Sequence, residues 1–131
     1  MKELRIKKLK PTFTTVLTTL DTFEEDWIVD GMVAAPKGAL KLYQRVVAVG
    51  PMVRDVKVGD LVLLNLSAYL QRKFKPGSIK EDMTEMEEEK VFDFPKMVMN
   101  ETLYGKFQER DIDGIIEEYE EVEAEKPQGL I

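Results

Sequence analysis

Two short apolar runs, each bounded by a tight-turn signal, restrict the fold of this chain more than any other feature. Val46-Val47-Ala48-Val49 stops at Gly50-Pro51, and Leu61-Val62-Leu63-Leu64 begins directly after Gly59-Asp60. Four-residue runs set between Gly, Pro and Asp are too short for buried helices and read as buried strands. A short loop separates them, so the order is strand, tight turn, loop, tight turn, strand.

The rest of the chain repeats this style. Thr12-Phe13-Thr14-Thr15-Val16-Leu17-Thr18-Thr19-Leu20 is rich in β-branched residues, whose χ1 crowding disfavours a helix, and predicts a strand over residues 12–20. Pro11 sits at its start, where a missing N–H is tolerated. Leu40 to Gly50 reads as the next strand. Val91-Phe92-Asp93-Phe94 alternates and stops at Pro95, Lys96-Met97-Val98-Met99 begins another strand, and Thr102 to Phe107 a further one. Asp111-Ile112-Asp113-Gly114 reads as a turn leading into a short strand at Ile115-Ile116. No strand–helix alternation is visible, so the chain is predicted to be all-β, a small barrel or sandwich. Its 131 residues suit one domain, residues 1–131.

Two stretches break the pattern. Between Asp21 and Ala39, acidic residues mix with Gly31, Pro36 and Gly38, which interrupt any regular element. This stretch carries two apolar clusters, Trp27-Ile28-Val29 and Met32-Val33-Ala34-Ala35. Either they pack on the barrel as an anchor or short strand, or they form an exposed ligand on a mobile loop that orders on a partner. Residues 65–100 are the least regular. They hold a basic cluster (Arg72, Lys73, Lys75) and an acidic run from Glu81 to Glu89, in which Met83 and Met86 allow a short helix over residues 79–89. The run reads as a solvated face; a carboxylate metal site would need a geometry that spacing does not supply.

Charge and missing residue types narrow the chemistry. The chain has no histidine and no cysteine, which removes an imidazole base, a Ser-His pair, disulfides and His or Cys metal ligands. No catalytic residue, metal ligand or cofactor is assigned, and an enzyme is not expected. The formal charge of −6 argues against a nucleic-acid partner. With 44% apolar residues but no long apolar run, neither a membrane span nor a signal peptide is expected, and the absence of cysteine suits the cytoplasm. The charge is polarised. Lys2, Arg5, Lys7, Lys8 and Lys10 face only Glu3 near the start, while Glu117, Glu118, Glu120, Glu121, Glu123 and Glu125 open an acidic tail over 118–131. These are either solvated ends or surfaces that pair, within a chain or between neighbours.

Val46-Val47-Ala48-Val49-Gly50-Pro51 followed by Val56-Lys57-Val58-Gly59-Asp60-Leu61-Val62 resembles the central signature of the GroES-like fold. Two families share it, the co-chaperonins and the barrel domain of zinc-dependent alcohol dehydrogenases. The second needs Cys and His ligands and a Rossmann domain, which this chain lacks. Leu9-Lys10-Pro11 with Val16-Leu17 resembles the co-chaperonin first strand, and Gln108-Glu109-Arg110-Asp111-Ile112 with Ile115-Ile116-Glu117 resembles its closing segment.

The resemblance implies a GroES-like β-barrel and a homo-oligomeric ring, typically of about seven subunits, capping a GroEL-type chaperonin that binds ATP. Leu9, Lys10 and Pro11 of one subunit would pair with Asp111, Ile112, Ile115 and Ile116 of the next. Residues 21–39 would be the mobile loop, with Gly31, Met32, Val33 and Ala34 in the family's Gly-plus-apolar-triplet position and Trp27, Ile28 and Val29 as the rival anchor. Residues 65–100 would enlarge the roof. Phage-encoded members vary there, so a phage origin is an expectation. The alternative is a structural or assembly subunit, for example of a virion, reusing the same barrel.

Overall fold

The computed structural model describes residues 1–74 and 88–123. It is all-β, with ten strands: β1 Thr15–Thr18, β2 Trp27–Val29, β3 Met32–Ala35, β4 Tyr43–Val49, β5 Leu61–Leu64, β6 Leu70–Phe74, β7 Glu88–Phe92, β8 Lys96–Met99, β9 Thr102–Gln108 and β10 Ile112–Ile115. Six of them form one antiparallel sheet in the order β10-β5-β4-β1-β9-β8, and β2-β3 and β6-β7 are separate hairpins. The ladder is open: β10 and β8 are its two edges. Among the described residues no helix is long and apolar enough to cross a membrane.

The sheet encloses a core built from alternate residues. Val16 of β1, Val46 of β4, Val62 and Leu64 of β5 and Phe107 of β9 are buried together, joined by Val56, Leu66 and Phe94 from the connections. Phe107 is fully buried, with the Phe94 ring 5.2 Å away and tilted and the Tyr69 ring 6.1 Å away edge-on. Such pairs add about 1 kcal/mol each beyond the area they bury.

The first strand is shorter than residues 12–20 predict. Thr12-Phe13-Thr14 makes a turn instead, with Phe13 at φ 50° and the Thr15 N–H donating to Thr12 O. That turn lies against Gly50, which is buried; a Cβ there would run into the Phe13 and Thr12 carbonyl oxygens. The Gly50 N–H donates to Thr15 O at 2.8 Å and the Met52 N–H to Phe13 O at 3.0 Å. Gly50 thus does more than end β4: it lets the chain's first turn close onto the sheet.

At the other signature turn, Gly59 takes φ 96° and the Asp60 carboxylate accepts from the Lys57 N–H. β10 starts at Ile112, earlier than its sequence suggests, because the 3₁₀ turn Glu109–Asp111 occupies the turn position.

Residues 65–100 do not stand apart from the sheet throughout. Leu66 and Phe94 are in the core and β8 is a sheet strand, while β6 and β7 pair with each other outside the six-stranded sheet. Arg72 and Lys73 lie on β6, and Glu88 and Glu89 on β7. Lys75 and the remainder of the helix expected over 79–89 fall outside the described residues, as do residues 124–131 of the acidic tail.

Candidate partner-binding hairpin and the cleft at its foot

The stretch 21–39, expected to be irregular, contains a formed hairpin. Asp30 at φ 52° and Gly31 at φ 76° make a two-residue turn, with Val29 opposite Met32 across it. Positive φ at both central residues is the type I′ geometry whose twist matches that of paired strands, and Asp-Gly suits it best. The Asp30-Gly31 dipeptide between two apolar clusters was therefore a hairpin signal, although these residues also read as strand breakers.

The hairpin shows two faces. Ile28 is buried at 7% exposure and Trp27 half-buried. Val29, Met32 and Val33 are 44%, 74% and 57% exposed, and Ala34 is exposed too. The two clusters therefore divide the alternatives between them: Trp27 and Ile28 anchor, while Val29, Gly31, Met32, Val33 and Ala34 are presented to solvent.

The neck below the hairpin is tied to the sheet. Thr22 and Leu40 form a bridge, the Phe23 N–H donates to Ala39 O at 2.9 Å, and the Lys41 N–H to Asp21 O at 3.0 Å. Gln44 of β4, fully buried, clamps both strands of the neck. Its Oε1 accepts from the Thr19 hydroxyl (2.9 Å) and the Asp21 N–H (2.8 Å), and its Nε2 donates to Asp21 O (2.9 Å) and Lys41 O (2.7 Å). A buried carboxamide with every position used is a fixed joint. Phe23 stacks on Trp27 at 6.5 Å, and Lys41 Nζ lies 5.5 Å from the Phe23 ring and 5.6 Å from the Tyr43 ring.

Beside this neck opens a cleft of about 660 Å³. Asp21, Phe23, Trp27, Lys41, Tyr43 and Arg45 line it together with Leu61, Ile116, Tyr119, Glu120, Glu121 and Val122. Gln44, Phe23, Lys41, Tyr43 and Tyr119 were not singled out from sequence. Nothing in their local pattern marks them, since they meet only through β4 pairing and the return of the chain after β10.

A second, more open cleft of about 590 Å³ contains Thr14, Asp55, Gln108, Glu109 and Arg110. Its carboxylate is already engaged: Glu109 accepts from the Asp55 N–H at 2.9 Å and from the Arg54 N–H, and these bonds hold its carboxyl below the usual range. It serves as a loop cap. Among the described residues no three acidic side chains converge on a point that could hold a metal ion.

The residues expected to form a subunit interface are not brought together within the chain. Asp111 is buried and its carboxylate accepts from the Tyr69 hydroxyl (2.7 Å) and the Gln108 N–H (2.9 Å), a structural tie between the start of the β6–β7 segment and the closing segment. Ile112 and Ile115 lie on edge strand β10, and Ile116 follows, its N–H donating to Leu61 O. Pro11 is buried, Leu9 half-buried and Lys10 exposed. The segment before them lies at the opposite edge, with Ile6 O and Lys7 O accepting from Asn100 of the β8–β9 turn and Arg5 paired to Glu101 at 3.2 Å. No protein-family model and no curated protein matches the chain.

Proposed function

We propose that this protein is a GroES-like co-chaperonin that assembles into a ring and engages a GroEL-type chaperonin through the β2–β3 hairpin. The observation that carries the reading is a hairpin rooted by Gln44 and tipped with solvent-facing Val29, Met32 and Val33. An apolar tip without a partner among the described residues suits an apolar groove on another protein. One tip burying about 200 Å² contributes at most roughly 5 kcal/mol before ordering and association costs. A ring of about seven would bind through several tips at once, and multivalency would supply the affinity.

Two further features support assembly. The sheet has two open edges, β10 and β8, and unpaired edges are templates for pairing. The basic N-terminal segment and the acidic segment after β10 lie at opposite edges, so their attraction favours head-to-tail contacts between copies over closure within one copy.

The second reading, a structural or assembly subunit using the same sheet, draws on one observation: residues 27–35 are a formed hairpin in the isolated chain. One experiment separates the two. Mass is measured by light scattering on the protein alone and with a GroEL-type chaperonin and nucleotide. A ring of about seven subunits that co-elutes with the chaperonin only with nucleotide is expected. The variant Met32→Asp/Val33→Asp should keep the ring and lose co-elution. A protein that ignores the chaperonin under all conditions would overturn the co-chaperonin reading and leave the structural one.

A further inference from the structure

We propose that the acidic segment Glu117–Val122 is a strap that restrains the recognition hairpin from its foot. The coupling is a property of the chain alone; only its consequence for partner binding rests on the function proposed above.

After β10 the chain is fastened by the Ile116 N–H donating to Leu61 O at 2.8 Å. Beyond it, Tyr119, Glu120, Glu121 and Val122 line the cleft. The same cleft is lined by the hairpin's root, Phe23 and Trp27, and by Lys41 and Arg45. Glu120 and Glu121 of the strap share the cleft lining with two cations, Lys41 and Arg45, and with one further carboxylate, Asp21. The Arg45 guanidinium already donates to Gly59 O, which leaves Lys41 as the cation for the strap. Lys41 is the pivotal cation. It sits over Phe23 and Tyr43, and its backbone carbonyl is one of the four groups clamped by Gln44. A carboxylate drawn to Lys41 therefore bears on the neck itself.

Among the described residues no hydrogen bond or close ion pair fixes residues 117–123, and Tyr119 and Val122 remain 58% and 60% exposed. Such a segment is held by diffuse attraction and some apolar contact, the kind of element that opens locally at little cost. Because the strap emerges from edge strand β10, a neighbour pairing with that edge would lift it, and assembly would release the hairpin. Attraction of this kind is worth up to about 1 kcal/mol at low salt, a factor of about three to five in an opening equilibrium, and it is screened when the Debye length falls to about 3 Å near 1 M salt.

Trp27 is the chain's single tryptophan and lines the cleft, so its emission reports on the strap directly. The test compares the full chain, a chain ending at Ile116, and full-length Glu120→Lys/Glu121→Lys. Trp27 emission and amide exchange over residues 29–33 are read at about 20 mM and about 1 M salt. At low salt both variants should emit at longer wavelength and exchange about three- to fivefold faster at the hairpin. High salt should bring the full chain to the same state and leave the shortened chain unchanged. Wild-type emission and exchange in the shortened chain, or an equal salt response with and without the segment, would overturn the strap. If the shortened chain does not fold, the full-length double variant decides: wild-type behaviour there overturns the proposal.

Discussion

Asp111 and Tyr69 tie two distant parts of the chain through one polar contact. Tyr69 is half-buried with its ring edge-on to Phe107, and its hydroxyl donates to Asp111. Burial and the adjacent carboxylate both penalise the phenolate, burial more strongly, and push the phenol up to about 12. An unfolded tyrosine titrates near 10. The neutral phenol is thus favoured in the folded state, so its contribution is complete below about pH 10 and is lost as pH rises through about 12. Urea midpoints measured from pH 8 to 12 should fall in that window. Tyr69→Phe should fall less steeply there while starting about 1–2 kcal/mol less stable at neutral pH. An unchanged alkaline slope in the variant would show that other groups carry it.

At the scale of elements, the β2–β3 hairpin forms through its turn and holds its place through Gln44. An isolated two-stranded hairpin is marginal in water, so the neck must supply what a third strand would. Gln44→Leu has similar volume but leaves the Asp21 N–H and Lys41 O without their partner, while Asp21 O keeps the Lys41 N–H. Each such loss costs about 1–3 kcal/mol, and relaxation toward solvent at the exposed neck recovers part of it. The expected loss is about 3 kcal/mol, a fall of roughly 10 °C in Tm by calorimetry. Faster amide exchange should concentrate at residues 21–23 and 39–41 rather than in β5 or β9. A uniform change across the sheet would show that Gln44 supports the core as a whole and not the neck.

At the scale of the whole molecule, polarised charge and open sheet edges act together. Arg5 pairs with Glu101 at the β8–β9 turn, far along the strand order from β10 and the acidic segment. In the proposed ring, unlike ends of neighbouring copies would attract and like ends repel, which would favour head-to-tail contacts over a two-fold dimer. Reversing three bases, Lys2→Glu, Arg5→Glu and Lys7→Glu, should lower the assembled mass seen by light scattering at about 0.1 M salt and leave the subunit's Tm within about 2 °C. An unaltered mass would remove charge pairing from the assembly.

Much of this architecture was legible because it is written in local periodicity and turn chemistry. The β-branched and aliphatic runs became β1, β4, β5, β8 and β9, and the Gly50 and Gly59 turns stand where the punctuation put them. Strand ends were less visible: Phe13 leaves the strand pattern because its carbonyl is needed by Met52 across the turn, a partner 39 positions away. The segment 21–39 looked irregular because Asp30 and Gly31 serve equally as breakers and as a type I′ turn, and only pairing tells the two apart. Phe23, Lys41, Gln44 and Tyr119 carry no pattern of their own. The all-β class, the apolar clusters and the charged ends were determined by the sequence alone, because each is a property of neighbouring residues. Which cluster faces solvent, what Gln44 holds and where the acidic segment lies were decided by tertiary structure, because each depends on groups that meet only once the sheet has formed.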